Sequence, residues 1–260
     1  MESKLKYTNT LLIYRVLFIF ILVNTAFLIT SCGDSHLFDF TKSTGDKVTI
    51  SRRVDGNFTK IHLNDDVNLV LTQGNQYTIR LEGGENILPG IETSISDSLL
   101  TISNKNTYNW VRSYDKEITA YVTLPHIIEI KYNATGTLTN TDTIREDSLM
   151  VSAIGGSGYV DLVIKTGTSK ISIISGSADM KVSGVAGVNF IYSEGYGPIR
   201  CEGLTSAYIF IINNSSNDCY INVWYLLEYS IKGLGNIYFK GNPSNLSGTS
   251  SGGGKLIHQN

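Results

Sequence analysis

The chain runs to 260 residues, with 21 Lys and Arg against 23 Asp and Glu and a net charge of −2. Residues 1–31 read as a removable leader, and without its three basic residues and one acid the balance becomes 18 against 22, about −4. That excludes the basic face nucleic-acid binding uses and offers no electrostatic attraction to anionic lipid.

The leader comes first in the chain. Lys4, Lys6 and Arg15 precede an apolar run, Val16–Leu28, that falls short of the roughly 20 residues a bilayer span needs. Ile29-Thr30-Ser31-Cys32 then resembles a bacterial lipobox, which implies cleavage before Cys32 and lipidation of that cysteine. The competing readings are an ordinary signal peptide, or a membrane anchor with a chance cysteine. Residues 32–46 make a short tether. The expected location is the outer membrane or cell surface, outside the cytoplasm and held by the lipid. The sequence leaves open which face of the membrane the protein occupies.

Residues 47–257 read as one all-β domain, with 258–260 as a tail. From 47 to 130 the strand signals are irregular but dense. Val67, Leu69 and Leu71 alternate cleanly with polar residues, and so do Tyr77, Ile79 and Leu81, then Ile118, Ala120 and Val122. Asn104–Asp115 reads as an exposed loop, and this half as irregular turns that also seal one end of the fold. From 131 to 257 small-residue corners recur at Gly136, Gly156, Gly176, Gly195, Ser215, Gly233 and Gly252, in steps of 18 to 20 residues. Such a period marks a solenoid. Each period reads as corner, alternating strand, second turn and short strand. Glycine suits the corners by reaching positive φ. The fold expected is a right-handed parallel β-helix-like solenoid of about 18–20 residues per turn. The Gly/Ser-rich stretch 247–255 is then a seventh corner rather than a linker.

Counted from each corner, Cys201 and Cys219 share the inward parity on neighbouring turns but are offset by two residues. That is roughly 7–8 Å, too far for a disulfide, so buried free thiols are expected.

In their order and spacing, several segments resemble one family: Val54-Asp55-Gly56-Asn57-Phe58-Thr59-Lys60-Ile61, Val67–Gly74, Glu85-Asn86-Ile87-Leu88, Ser98–Ile102, and the late Ile231-Lys232-Gly233-Leu234-Gly235-Asn236-Ile237 with Gly241-Asn242-Pro243. That family is the putative auto-transporter adhesin, head-GIN domain family of Bacteroides-like lipoproteins. The resemblance spans roughly 47–257 and implies a parallel β-helix-like fold. It supplies no catalytic residues. The chain departs from the pattern at Asn213–Asp218, where a widened corner is expected and where function is sought first.

Candidate chemistry is sparse. Gly155-Gly156-Ser157-Gly158-Tyr159-Val160-Asp161 approximates a calcium β-roll repeat, but its Asp arrives one residue late and nothing recurs at nine residues. Asp161, Asp179 and Asp218 sit near corners on different turns and could stack as a carboxylate pair, as in sugar-cleaving β-helices. They are more simply solvated turn residues. The four histidines lack ligand spacing. No cofactor, metal or catalytic residue is assigned. Aromatics crowd the last third, and Tyr196, Trp224 and Tyr225 are the candidates to face a ligand, a glycan or a surface protein. The function expected is a non-enzymatic, lipid-anchored envelope protein, an adhesin or surface-binding module. The alternatives are a periplasmic or outer-membrane scaffold and a carbohydrate-active β-helix enzyme.

Overall fold

The computed structural model describes residues 44–106 and 117–259. The leader, Cys32 and most of the tether lie outside the described residues. The described chain is all-β, a solenoid of about 6 turns. Its seventeen strands join in one continuous sheet, interrupted by a short 3-10 turn at Leu88–Gly90.

The first half holds β1 (Lys47–Arg52), β2 (Lys60–Asp65), β3 (Asn68–Gln73), β4 (Thr78–Gly84), β5 (Ile91–Ser96), β6 (Leu99–Asn104), β7 (Thr119–Leu124) and β8 (Glu129–Ala134). The alternation of β2 to β7 buries Ile61, Leu63, Leu69, Leu71, Leu100, Ile102, Ala120 and Val122 on one side, as a half-buried strand must. Their stacking order departs from chain order. β2 runs parallel between β6 and β8, and β3 lies beside β7. The turn made by β6 and β7 therefore lies outside the turn made by β2 and β3, and residues 125–128 return the chain past β2 to begin β8. Antiparallel strands close this end: β4 pairs with β7 and β1, and β5 with β6.

Asn104 belongs to the core rather than to an exposed loop. Its backbone N–H donates to Asp65 Oδ2 at 3.0 Å and its Nδ2 to the Asp66 carbonyl at 3.3 Å. These two bonds tie the exposed Asp65-Asp66 corner, where Asp65 adopts a positive φ of 61°, to the end of β6. Residues 107–116 of the anticipated loop lie outside the described residues.

The second half is β9 (Thr137–Asn140), β10 (Ile144–Ile154), β11 (Tyr159–Ser175), β12 (Asp179–Ser193), β13 (Ile199–Asn213), β14 (Cys219–Ile231), β15 (Ile237–Lys240), β16 (Asn245–Ser250) and β17 (Leu256–His258). All run parallel to their stacked neighbours. β11 and β12 keep a 20-residue offset throughout, from Tyr159↔Asp179 to Ile173↔Ser193. Each turn has a leading limb after the glycine corner and a returning limb before the next. Between them lies a second bend that does not interrupt the strand. It shows as a slip of inward parity, from Thr166 to Ser169 in β11 and from Ala186 to Asn189 in β12. The inward rows of the leading limb (Val160, Met180, Ile199, Cys219, Ile237; Leu162, Val182, Cys201, Ile221) are fully buried.

The glycine corners form one column, but positive φ accounts for few of them. Gly155 and Gly176 adopt it, whereas Gly136, Gly156, Gly195, Gly233 and Gly252 do not. Close approach decides the rest. A Cβ on Gly136, Gly233 or Gly252 would strike the carbonyl oxygen of Val67, Ser215 or Gly233 in the turn beneath. The column includes the Gly/Ser-rich tail, where Gly252 N–H donates to Ile231 O and Gly254 N–H to Gly233 O. That stretch is structure, not linker.

Candidate ligand-facing surface

The departure at Asn213–Asp218 is an internal brace. Ser215 and Asn213 are both buried. Asn213 Nδ2 donates to the carbonyls of Gly235 at 3.0 Å and Asn217 at 3.1 Å, while its Oδ1 accepts the Ser215 N–H at 3.1 Å. The Ser215 hydroxyl donates to the Gly195 carbonyl and accepts the Asn217 N–H. The Asn213 and Ser215 side chains bond inside the corner, while Asn214 and Ser216 stay exposed.

Large exposed aromatic side chains lie one bend away. β14 departs from its neighbour twice. Where β13 goes from Cys201 to Thr205, β14 goes from Ile221 directly to Asn222; where β13 goes from Ser206 to Tyr208, β14 goes from Val223 to Leu226. The turn is thus three residues short at one point and one residue long at the second bend. The second bend leaves two consecutive residues off the buried rows in the turns beneath (Gly167 and Thr168, Gly187 and Val188, Ala207 and Tyr208); the bulge in β14 adds a third position, and two of its three are exposed aromatics. These are Trp224, 57% exposed, and Tyr225, 40% exposed. Tyr225 meets the Tyr208 ring edge-on at 5.2 Å, and Trp224 meets Tyr225 at 6.1 Å. The three rings form one exposed cluster. Tyr196, 73% exposed, stands on the glycine-corner column, at the opposite end of the returning limb. The structure therefore brings Trp224 and Tyr225 together and leaves Tyr196 apart.

Sequence reasoning passed over Phe190 and Phe210. They are one turn apart, share outward parity, and stack with centroids 5.2 Å apart and planes at 16°. Their 20-residue separation was a usable signal. Tyr220 and Tyr238 stack likewise on the leading limb, with Arg200 over the Tyr220 ring.

The three acids weighed for catalysis are each engaged. Asp161 pairs with Lys181 at 3.0 Å and Asp179 with Arg200 at 3.1 Å, while Asp218 Oδ1 accepts the Asn236 N–H at 2.8 Å. The calcium-like glycines serve packing: the Tyr132 ring lies where Cβ atoms on Gly156 and Gly158 would sit. Burial pushes the Tyr132 phenol up to about 12, and its hydroxyl donates to the Gly136 carbonyl. Among the described residues, no three His, Cys, Asp or Glu side chains gather as a metal site.

Both cysteines are free and buried. Cys201 pairs in register with Ile221 and Cys219 with Ile199, the two-residue offset expected. Burial pushes the Cys219 thiol up to about 12 and the Cys201 thiol higher still. Neither is poised as a nucleophile, since the thiolate is the reactive form.

The described chain is thus a parallel β-solenoid with exposed aromatic side chains. Residues 57–243 match the family model described as putative auto-transporter adhesin, head GIN domain, and the chain belongs to that family. Solved structures share the fold at low identity. A putative adhesin from Bacteroides fragilis is 22% identical with a TM-score of 0.76, over 82% of this chain and 97% of that one. A putative adhesin from Parabacteroides distasonis is 15% identical with a TM-score of 0.65, covering 83% and 98%. A protein from the same organism described as a putative lipid binding protein is 14% identical with a TM-score of 0.64, covering 84% and 98%. No curated protein matches the chain.

Proposed function

We propose that this protein is a non-enzymatic adhesin of the cell envelope, anchored by lipid on Cys32, that meets a glycan or protein partner through the Trp224–Tyr225–Tyr208 corner. The observation that carries the reading is the bulge in β14. It holds two large aromatic side chains in water at a cost in exposed apolar surface, and aromatic clusters of this kind dominate binding energetics. Membership of an adhesin family supports the same reading. The engagement of Asp161, Asp179 and Asp218 argues against a glycosidase pair.

Native protein on glycan and host-matrix arrays should show a binder that the Trp224→Ala/Tyr225→Ala variant loses by at least tenfold and the Tyr196→Ala variant keeps. Empty arrays with native protein would count against the adhesin. Protease shaving of intact cells separates an adhesin, which is cut, from a periplasm-facing scaffold, which is spared. A Cys32→Ser variant should leave the membrane fraction.

A further inference from the structure

The outer surface of the returning limb carries a second apolar feature. Register places Lys170, Phe190, Phe210 and Glu228 in one row along the solenoid axis, and Ser172, Tyr192, Ile212 and Ser230 in the next. Outward side chains two residues apart on a strand lie about 6.6 Å apart. The valley between these rows is a groove of about 480 Å³, with Ile174 and Met150 also on its walls. Phe190, Ile212 and Ile174 are exposed there.

The rings select the occupant. Phe190 and Phe210 stack on one another along their row, so one face of each is covered and the other turns along the row toward Lys170 or Glu228 rather than into the valley. A sugar needs an open aromatic face to stack on. Ring edges and isoleucine methyls suit a flexible hydrocarbon chain, whose burial is favourable in any orientation. From Lys170 to Glu228 the groove crosses three strand spacings, roughly 14 Å, and its two rows, about 6.6 Å apart, leave room for no more than one chain. Charge sets polarity: the lysine end takes an anionic head, and the glutamate end repels it.

We propose that this groove binds a single-chain fatty carboxylate, its chain along the solenoid axis and its carboxylate at Lys170. Tyr208, Trp224 and Tyr225 do not line this groove, and the proposal does not depend on the adhesin reading.

The test is calorimetric titration of the purified protein with dodecanoate below its micelle concentration, against hexanoate and dodecyltrimethylammonium. Saturable one-to-one binding of dodecanoate is expected, with each of the other two at least fivefold weaker. Phe190→Gln/Phe210→Gln should weaken dodecanoate at least tenfold. Lys170→Met should reduce the preference for the anionic head over the cationic one at least threefold. Trp224→Ala/Tyr225→Ala should bind dodecanoate as the native protein does. If the phenylalanine variant fails to melt cooperatively, Ile212→Gln replaces it. No saturable binding, equal affinity for the two head groups, or an unchanged groove variant would overturn the proposal. So would a dimer in light scattering that the groove variant dissolves, because a second copy would then be the occupant.

Discussion

Asn213→Ala is the sharpest test of the braced corner. Asn213 is fully buried, with Ser193 beneath it and Ile231 above in register. Truncation leaves the Ser215 N–H without its acceptor and the Gly235 and Asn217 carbonyls without the amide that reaches them at 3.0 and 3.1 Å. A buried donor left unpaired costs about 1–3 kcal/mol. Carbonyls tolerate under-satisfaction better than N–H groups, so the pair adds less than twice that. A total of about 3 kcal/mol follows from these terms, equivalent to a fall of roughly 6–12 °C in melting temperature for a domain of this size. Urea and thermal melts followed by circular dichroism measure it. Asn214→Ala, exposed on the same corner, should stay within about 0.5 kcal/mol of the native protein. If Asn213→Ala matched that control, the side chain would be a passenger and the corner would be held by backbone alone.

The corner column makes its own prediction. Gly233→Ala drives a Cβ into the Ser215 carbonyl and should cost about 1–3 kcal/mol, whereas the Cβ of Gly253→Ala meets only the end of the Leu234 side chain and should leave the melt nearly unchanged. The thiols should resist Ellman's reagent until denaturant is added; rapid labelling of native protein would refute their burial. They should also make the fold alkali-sensitive. Unfolded cysteines ionise from about pH 8.5, while folded Cys219 holds its proton to about 12 and Cys201 beyond that. The native state binds more protons across this window. The thiol contribution is therefore complete below about pH 8.5 and declines as pH rises, by up to about 1.4 kcal/mol per pH unit for each thiol. In guanidinium melts at pH 8 and 10, Cys201→Ala/Cys219→Ala should lose less stability than the native protein. An identical loss would show that the thiols do not carry the effect.

Much of the regular half was readable residue by residue. Parity counted from the corners placed Cys201 and Cys219 on the inward side and offset them by two residues, because a strand's side chains alternate with period two whatever surrounds them. The candidate surface was only half readable. Trp224 and Tyr225 could be named from their crowding, but their place at the second bend beside Tyr208 depends on a register slip between β13 and β14, a difference between two strands rather than a property of one. The role of the Ser215 corner was not readable for a related reason: a break in a glycine pattern looks alike whether the new side chain faces water or, as here with Asn213, turns inward to bond the next turn's carbonyls.

The chain order of stacking was likewise beyond reach. Hydrophobic alternation marks β2, β3, β6 and β7 as strands with a buried face, but records nothing about which turn lies above which. By itself, then, the sequence determined that this protein is a parallel solenoid of 18–20-residue turns with buried thiols, because corner spacing and side-chain parity are local and survive any choice of neighbour. Tertiary structure alone decided that β6 and β7 stack outside β2 and β3, that Asn213 braces a corner, and that Phe190 and Phe210 wall a groove. Each of these depends on which residues meet across turns, and that is set by the register between strands rather than by the order within one.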